Sequence, residues 1–229
     1  MSDDDASCAH TDPTELIEVF DAAGQPTGVA KTRAAIHRDG DWHLTFFCWI
    51  FREAKDGTLE VVLQKRAPHK DVWPGRYDAS AAGHVRFGET TAEAAREIEE
   101  ELGLRVSAQA TGPDPLVPIM RHQQEHRHSS GLVDREIHDV HLLRCALPLE
   151  DYRPGPEVSG LCAVPIHQLI ELARRMRESI ASTLVTFDPA GTAHHEAIRL
   201  GREHLVPYDE GYFETIASYC SGRASMARR

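Results

Sequence analysis

Long apolar runs are missing from this chain, and so is any excess of positive charge. No stretch approaches the roughly 20 apolar residues that cross a bilayer. The opening residues MSDDDASCAHTDP are acidic, where a secretory leader is basic and then apolar. A cytoplasmic protein with no membrane partner is expected, with residues 1–13 as a disordered acidic tail. Lysine and arginine number 25 against 36 aspartates and glutamates, a formal charge of −11. Nucleic-acid backbones repel such a chain, which argues against nucleic acid as a partner. Cysteine is scarce as well. Cys8, Cys48, Cys145, Cys162 and Cys220 are odd in number and lack metal-ligand spacing, so they read as reduced thiols.

What the chain does have is a local concentration of acid. In GHVRFGETTAEAAREIEEELGL, residues 83–104, Glu93, Glu97, Glu100 and Glu101 fall within an arc of roughly 100° on a helix. Ala94, Ala95, Ile98 and Leu102 form a neighbouring apolar stripe. Thr90 and Glu93 have capping-box spacing, which starts the helix near residue 91, and Gly103 is placed to end it. Like charges at these spacings repel by a few tenths of a kcal/mol per pair, so a packed cluster needs a counter-charge. A hard divalent cation, Mg²⁺ or Mn²⁺, suits carboxylate oxygens and is commonly shared with substrate phosphates. A solvated acidic helix is the alternative reading of the same residues.

This stretch resembles the signature of the Nudix hydrolases, G-x5-E-x7-R-E-U-x-E-E-x-G-U with U a bulky aliphatic residue. Gly83 and Glu89 match its opening, and Arg96, Glu97, Ile98, Glu100, Glu101, Gly103 and Leu104 match its second half. Six residues rather than seven separate Glu89 from Arg96. One missing helical residue displaces Glu89 by about 100° and 1.5 Å unless the first turn rearranges.

The resemblance extends from Glu18 to about Leu161, toward the branch that includes type I isopentenyl-diphosphate isomerases and their hydrolase relatives. The matching segments are AAIHRDGDWHLTFFCWIF, VVLQKRAPHKDVWPGRYDASAAGH and VDREIHDVHLL. It implies an α/β/α sandwich on a mixed β-sheet, here with additional C-terminal helices over about residues 165–221 of a single domain, 14–229. It also implies a metal at Glu97, Glu100 and Glu101 with the Gly83 carbonyl. A second metal is implied at His37, His43, His84, Asp134 and Glu136. The isomerases need a cysteine just before the glycine and histidine of the box, and here that residue is Ala82. A missing thiol with an intact acidic helix favours hydrolysis of a diphosphate over double-bond isomerisation. A non-catalytic diphosphate-binding or regulatory domain is the third reading.

Roles follow from the same resemblance. By helix geometry, Arg96 is expected to point away from the metal face and to orient a glutamate through an ion pair. The general base comes from Glu89, Glu136 or Glu157. Lys65, Arg66 and Lys70 lie at a basic strand end where phosphates can bind, or serve solubility, and Trp73 and Tyr77 either stack on a substrate or belong to the core and turns. The partner is a small-molecule diphosphate, with dimerisation through the tail as a further expectation.

Elsewhere the pattern predicts strands at Glu15–Phe20, His43–Arg52, Thr58–Gln64, Val106–Ala110 and Ile137–Leu143, and a short element over Lys31–His37. A hairpin turn is expected at KDG, residues 55–57. HQQEHRHSSG, residues 122–131, reads as a mobile loop with His122, His126 and His128 in solvent. Pro165–Ile180, His194–His204 and Tyr212–Tyr219 carry apolar residues at helical spacing.

Overall fold

The computed structural model describes residues 15–106, 115–128 and 131–227. The expected acidic tail and nearly all of the expected strand Val106–Ala110 lie outside these residues. The centre is β3 (Trp42–Glu53), whose aromatic and β-branched residues are buried on both faces. Its neighbours are β4 (Leu59–Arg66), reached through the predicted KDG turn with Gly57 at φ 85°, and β1 (Leu16–Phe20), which leads to β2 (Pro26–Thr32). Adjoining β4 are β9 (Val158–Pro165), then β10 (Ile180–Phe187) and β11 (Ala193–Leu200). Two short strands, β5 (Tyr77–Asp78) and β6 (Ala81–His84), pair with β4 and β3. The hairpin of β7 (Val117–Arg127) and β8 (Val133–Arg144) joins β3 through the one parallel ladder among the described strands.

Alternation along β3 separates two cores. Phe46 and Ile50 pack with Val62, Tyr152 and the apolar side of α2 (Arg96–Leu102). Trp49 and Phe51 pack on the opposite face with residues of α3 (Ile166–Ala173) and α4 (Tyr212–Ala227). The sheet therefore lies between helices, as an α/β/α sandwich. The remaining helix, α1 (Arg33–Asp39), is capped by Thr32, whose Oγ1 accepts from Ala35 N, and by Gly40 at φ 68°.

Three expectations are corrected. The 122–131 segment is mostly strand β7, paired with β8 from Val117 to Arg127, and only Ser129 and Ser130 fall outside the described residues. His122, His126 and His128 are not free in solvent. His122 Nε2 lies 3.3 Å from Asp209 Oδ2, and His126 and His128 contact the Trp73 ring. The helix expected over Pro165–Ile180 ends at Ala173, and Ile180 opens β10. The helix expected over His194–His204 is strand β11 as far as Leu200, in register with β10 from Ile180↔Leu200 to Phe187↔Ala193. Its few apolar residues suit either periodicity. Pairing with the β-branched β10 decides, because strand preference depends on neighbours more than on the residue alone. The C-terminal extension is thus a hairpin plus helices.

Candidate active site

Partway along its length β3 changes partner. Residues 50–53 pair with β4, whereas 45–48 pair with β6. Ser80 sits at this fork, where its hydroxyl accepts from Ile50 N at 2.7 Å and donates to Val62 O at 2.5 Å. Both backbone groups are thereby satisfied without a continuous ladder. A cavity of about 840 Å³ opens beside the fork, lined by residues of α1, β3–β8, α2 and the segment preceding α4.

Helix α2 delivers the carboxylates. The capping box forms as predicted: Glu93 N donates to Thr90 Oγ1 and Thr90 N donates to a Glu93 carboxylate oxygen. Glu93 is thereby removed from the acidic cluster. Gly103 ends the helix at φ 68°. The first turn, Glu93–Ala95, is 3₁₀ rather than α. Three residues at 2.0 instead of 1.5 Å rise recover about 1.5 Å, and at 120° instead of 100° about 60° of rotation. The one-residue deletion is taken up in part there, and Glu89 still reaches Arg96 at 2.8 Å.

Glu97, Glu100 and Glu101 all line the cavity. Glu97 lies over Gly83, where any Cβ would come within 2.1 Å of its carboxyl carbon. Glycine is required at that position because the carboxylate occupies the side-chain space. Glu101 is 4 % exposed and accepts from Gln64 Nε2 at 2.9 Å and Ala82 N at 2.8 Å. Burial, reinforced by Glu101 and opposed by Arg96, pushes the Glu97 carboxyl up to about 8. Burial likewise lifts Glu101 to about 7, against the pull of Lys70 and the Ala82 amide. Arg96 does not point away from this face. Its guanidinium folds back to Glu89, Glu97 and Glu100 and to the His84 carbonyl, and it lines the cavity. An arginine side chain reaches the i+1 and i+4 carboxylates of its own helix, so one cation serves three anions.

A second constellation lies against the same cavity. The rings of His37, His43 and His84 are mutually 5.2–5.3 Å apart. Asp134 Oδ1 is 3.7 Å from His37 Nε2 and 4.0 Å from His43 Nε2, and Glu136 Oε1 is 3.9 Å from His43 Nε2. The parallel β3–β8 ladder sets this, pairing His43 with Glu136. His43 Nδ1 donates to the Asp41 carbonyl at 3.1 Å, so its Nε2 presents a lone pair inward. His43 Nε2, His84 Nε2 and Asp134 Oδ1 are buried without hydrogen-bond partners. Burial holds His37 down at about 4 and lowers His43 and His84, which keeps the imidazoles neutral. Neutral imidazoles with converging carboxylates fit a transition-metal ion.

The basic residues divide. Arg66 and Lys70 line the cavity, paired with Asp78 and Glu157. Lys65 does not. Alternation turns it to the other face, 5.9 Å from the centre of the Tyr77 ring, and Tyr77 is itself core. Trp73 stands on the cavity wall at φ 51°, a conformation rare for a bulky residue, with the Arg76 guanidinium 4.6 Å from its ring. Of the candidate bases, Glu136 and Glu157 line the cavity, while Glu89 is engaged by Arg96 and the Arg86 amide. Sequence reasoning missed Arg33, one helical turn before His37, and Gln124 and His126, which share one face of β7 at period two. Both spacings are readable in hindsight. Tyr208, from the segment before α4, carries no such signal.

An acidic helix laid over a glycine of a split mixed sheet is the architecture of an enzyme that hydrolyses diphosphate bonds. Residues 41–185 match the family model described as NUDIX domain, and the chain belongs to that family. It is 28% identical over 203 residues to an uncharacterised Nudix hydrolase of Clostridium acetobutylicum, covering 88% of this chain and 95% of that one. It is 37% identical over 159 residues to Nudix hydrolase 3 of Arabidopsis thaliana, covering 67% of this chain but 20% of that longer protein. Isopentenyl-diphosphate Delta-isomerase of Escherichia coli is 32% identical over 138 residues, with 60% and 70% covered. A solved structure from Deinococcus radiodurans superposes with a TM-score of 0.52 at 20% identity, over 71% of this chain and 89% of that one, and shares the fold. No described helix is long and apolar enough to cross a membrane.

Proposed function

We propose that this protein cleaves a diphosphate linkage in a small metabolite, a nucleoside diphosphate derivative or another X-diphosphate, by attack of water on phosphorus with Mg²⁺ or Mn²⁺ bound. The observation that carries the reading is the convergence of Glu97, Glu100 and Glu101 on the cavity, with only the shared Arg96 among the helix's own residues to offset them. Glu101 is buried and Glu97 largely so, and both are shifted toward neutrality, a cost that a bound cation would relieve. Oxygen donors of this kind, with the Gly83 carbonyl as a backbone ligand by family analogy, fit Mg²⁺ or Mn²⁺. Such an ion, when bound, polarises a phosphoryl oxygen and acidifies a water molecule.

The chain's own residues supply the remainder. Arg66 and Lys70 balance phosphate charge, and Trp73 offers a ring to the organic part of the substrate. Gln64 and the Ala82 amide hold Glu101 in one orientation. Glu136 and Glu157, which line the cavity, are the candidates to accept the proton of the attacking water. Burial opposes ionisation of Glu136, but the His138 hydrogen bond and the surrounding imidazoles outweigh it and hold its carboxyl well below the usual range. The histidine set His37, His43 and His84, with Asp134 and Glu136, would hold a second ion. Isomerisation is disfavoured because Ala82 offers no thiol for proton transfer at carbon.

A panel of diphosphate metabolites assayed with Mg²⁺ and Mn²⁺ tests the reading. Release of phosphate or a monophosphate that stops with EDTA is expected. Formation of dimethylallyl diphosphate from isopentenyl diphosphate, or no release across the panel, would overturn it.

A further inference from the structure

Arg66 and Lys70, assigned above to the phosphates, each pair with a carboxylate of the cavity wall, Asp78 and Glu157. The Arg66 pair is the more enclosed at its carboxylate, for the Asp78 side chain is 4 % exposed. Two N–H groups of Arg66 are committed: Nε donates to the Val72 carbonyl at 3.1 Å and Nη1 to Asp78 Oδ2 at 3.1 Å. These bonds fix the plane of the guanidinium on the cavity wall. A fixed fork is what two-point binding of a phosphate requires.

Asp78 is held in its turn. Its Oδ1 accepts from Ala79 N at 2.8 Å and from the Tyr208 hydroxyl. Burial and the adjacent Asp78 charge raise the Tyr208 phenol well above its ordinary range, so it stays a donor.

Tyr208 lies beyond the family match at 41–185, and it is fixed from both sides. Before it, Val206 N donates to Tyr77 O at 2.9 Å, Arg76 Nη1 donates to Leu205 O at 2.9 Å, and Gln124 Nε2 donates to Pro207 O at 2.8 Å. After it, Tyr212 of α4 stacks on its ring at 4.2 Å and 11°, and Trp49 Nε1 donates to the Tyr212 hydroxyl at 3.0 Å. The C-terminal extension thus delivers one hydroxyl to one carboxylate oxygen. Without that hydroxyl, Asp78 would be a buried carboxylate short of a donor, and the Arg66 guanidinium already at its other oxygen is the group to recruit. Closing on both oxygens turns the fork toward Asp78 and away from a ligand.

We propose that Tyr208 is a positioning residue for diphosphate binding: by satisfying Asp78 it keeps the Arg66 guanidinium presented to the cavity, so that the C-terminal extension completes the phosphate end of the site. The inference rests on the diphosphate reading for the ligand that Arg66 meets.

Calorimetric binding of inorganic diphosphate in Mg²⁺ to the full chain tests this. Tyr208→Phe keeps the ring and removes the hydroxyl, and it should weaken diphosphate binding ~5-fold or more. Tyr208→Leu is the second variant, and unfolding midpoints report whether each is folded. On a substrate found in the metabolite panel, KM should rise by a similar factor with kcat within ~3-fold of the parent. Affinity for Mg²⁺ alone should stay unchanged, which a general disturbance of the site would not allow. In an Arg66→Lys background, where a point charge replaces the fork, Tyr208→Phe should cost no more than ~2-fold. Parent-like diphosphate affinity in a folded variant overturns the inference, as does an undiminished loss in the Arg66→Lys background or a parallel loss of Mg²⁺ affinity. So does failure of both variants to fold, which would make Tyr208 structural, or failure of the parent chain to bind diphosphate. Coupled loss of affinity without turnover of any diphosphate sinks the hydrolase reading alone, and turnover with KM unmoved by Tyr208→Phe sinks the positioning role alone.

Discussion

At the scale of single residues, the site is governed by how few cations face its carboxylates. Replacing Glu100 or Glu101 by glutamine keeps shape and removes a charge, so turnover should fall at least ~100-fold with the unfolding midpoint little changed. Steady-state kinetics and a thermal melt on each variant decide it, and full activity in both would sink the scheme. The elevated Glu97 carboxyl has a second consequence. Unfolded, this group titrates near its ordinary 4.5, and folded at about 8. The folded state therefore holds the extra proton between those values, so the contribution to stability is complete below pH 4.5 and is lost as pH rises to 8. The metal-free protein should melt at progressively lower temperature from pH 5 to pH 8. Magnesium or manganese binding at pH 7 should release protons, seen as a dependence of the calorimetric heat on buffer ionisation enthalpy. A buffer-independent heat would contradict the buried, proton-holding state of Glu97.

At the scale of elements, helix α2 was legible almost residue by residue, because everything that defines it is local. Its cap, its stripe and its terminator lie within fifteen residues, and the structure holds Thr90, Glu93 and Gly103 in those roles. Gly103 is a sharp test. A Cβ there would lie 2.6 Å from Arg153 Cβ and 2.7 Å from Arg153 O, at a φ of 68°. Gly103→Ala should destabilise the fold by at least about 1–2 kcal/mol in chemical denaturation, the ordinary cost of a left-handed non-glycine residue before any clash. Strands β7 and β11 were not legible for the opposite reason. The polar residues of β7 alternate between the cavity and the outside, and β11 is an exposed edge rich in His, Glu and Arg. Nothing local marks either as a strand. Their partners supply the hydrogen bonds, and partners are invisible in a single segment. The histidine set became legible only through likeness to a family, since His37, His43, His84 and Asp134 are scattered along the chain until α1, β3, β6 and β8 bring them together.

At the scale of the whole molecule, an acidic protein surrounds an anion-processing cavity, so divalent ions should stabilise it out of proportion to their number. A single ion at 100 times its Kd adds about 2.7 kcal/mol. A melt in Mg²⁺ should rise measurably above one in EDTA, and an equal concentration of Na⁺ charge should not reproduce the rise. The parallel ladder between β3 and β8 joins positions about ninety residues apart, Trp42 with Arg135 through Phe51 with Arg144. Chain closure over such a span is slow relative to helix formation. Catalytic competence therefore matures last. In a refolding time course, ellipticity should return before the proposed capture of an ion at the histidines, which would make that capture a clock for completion of the native topology.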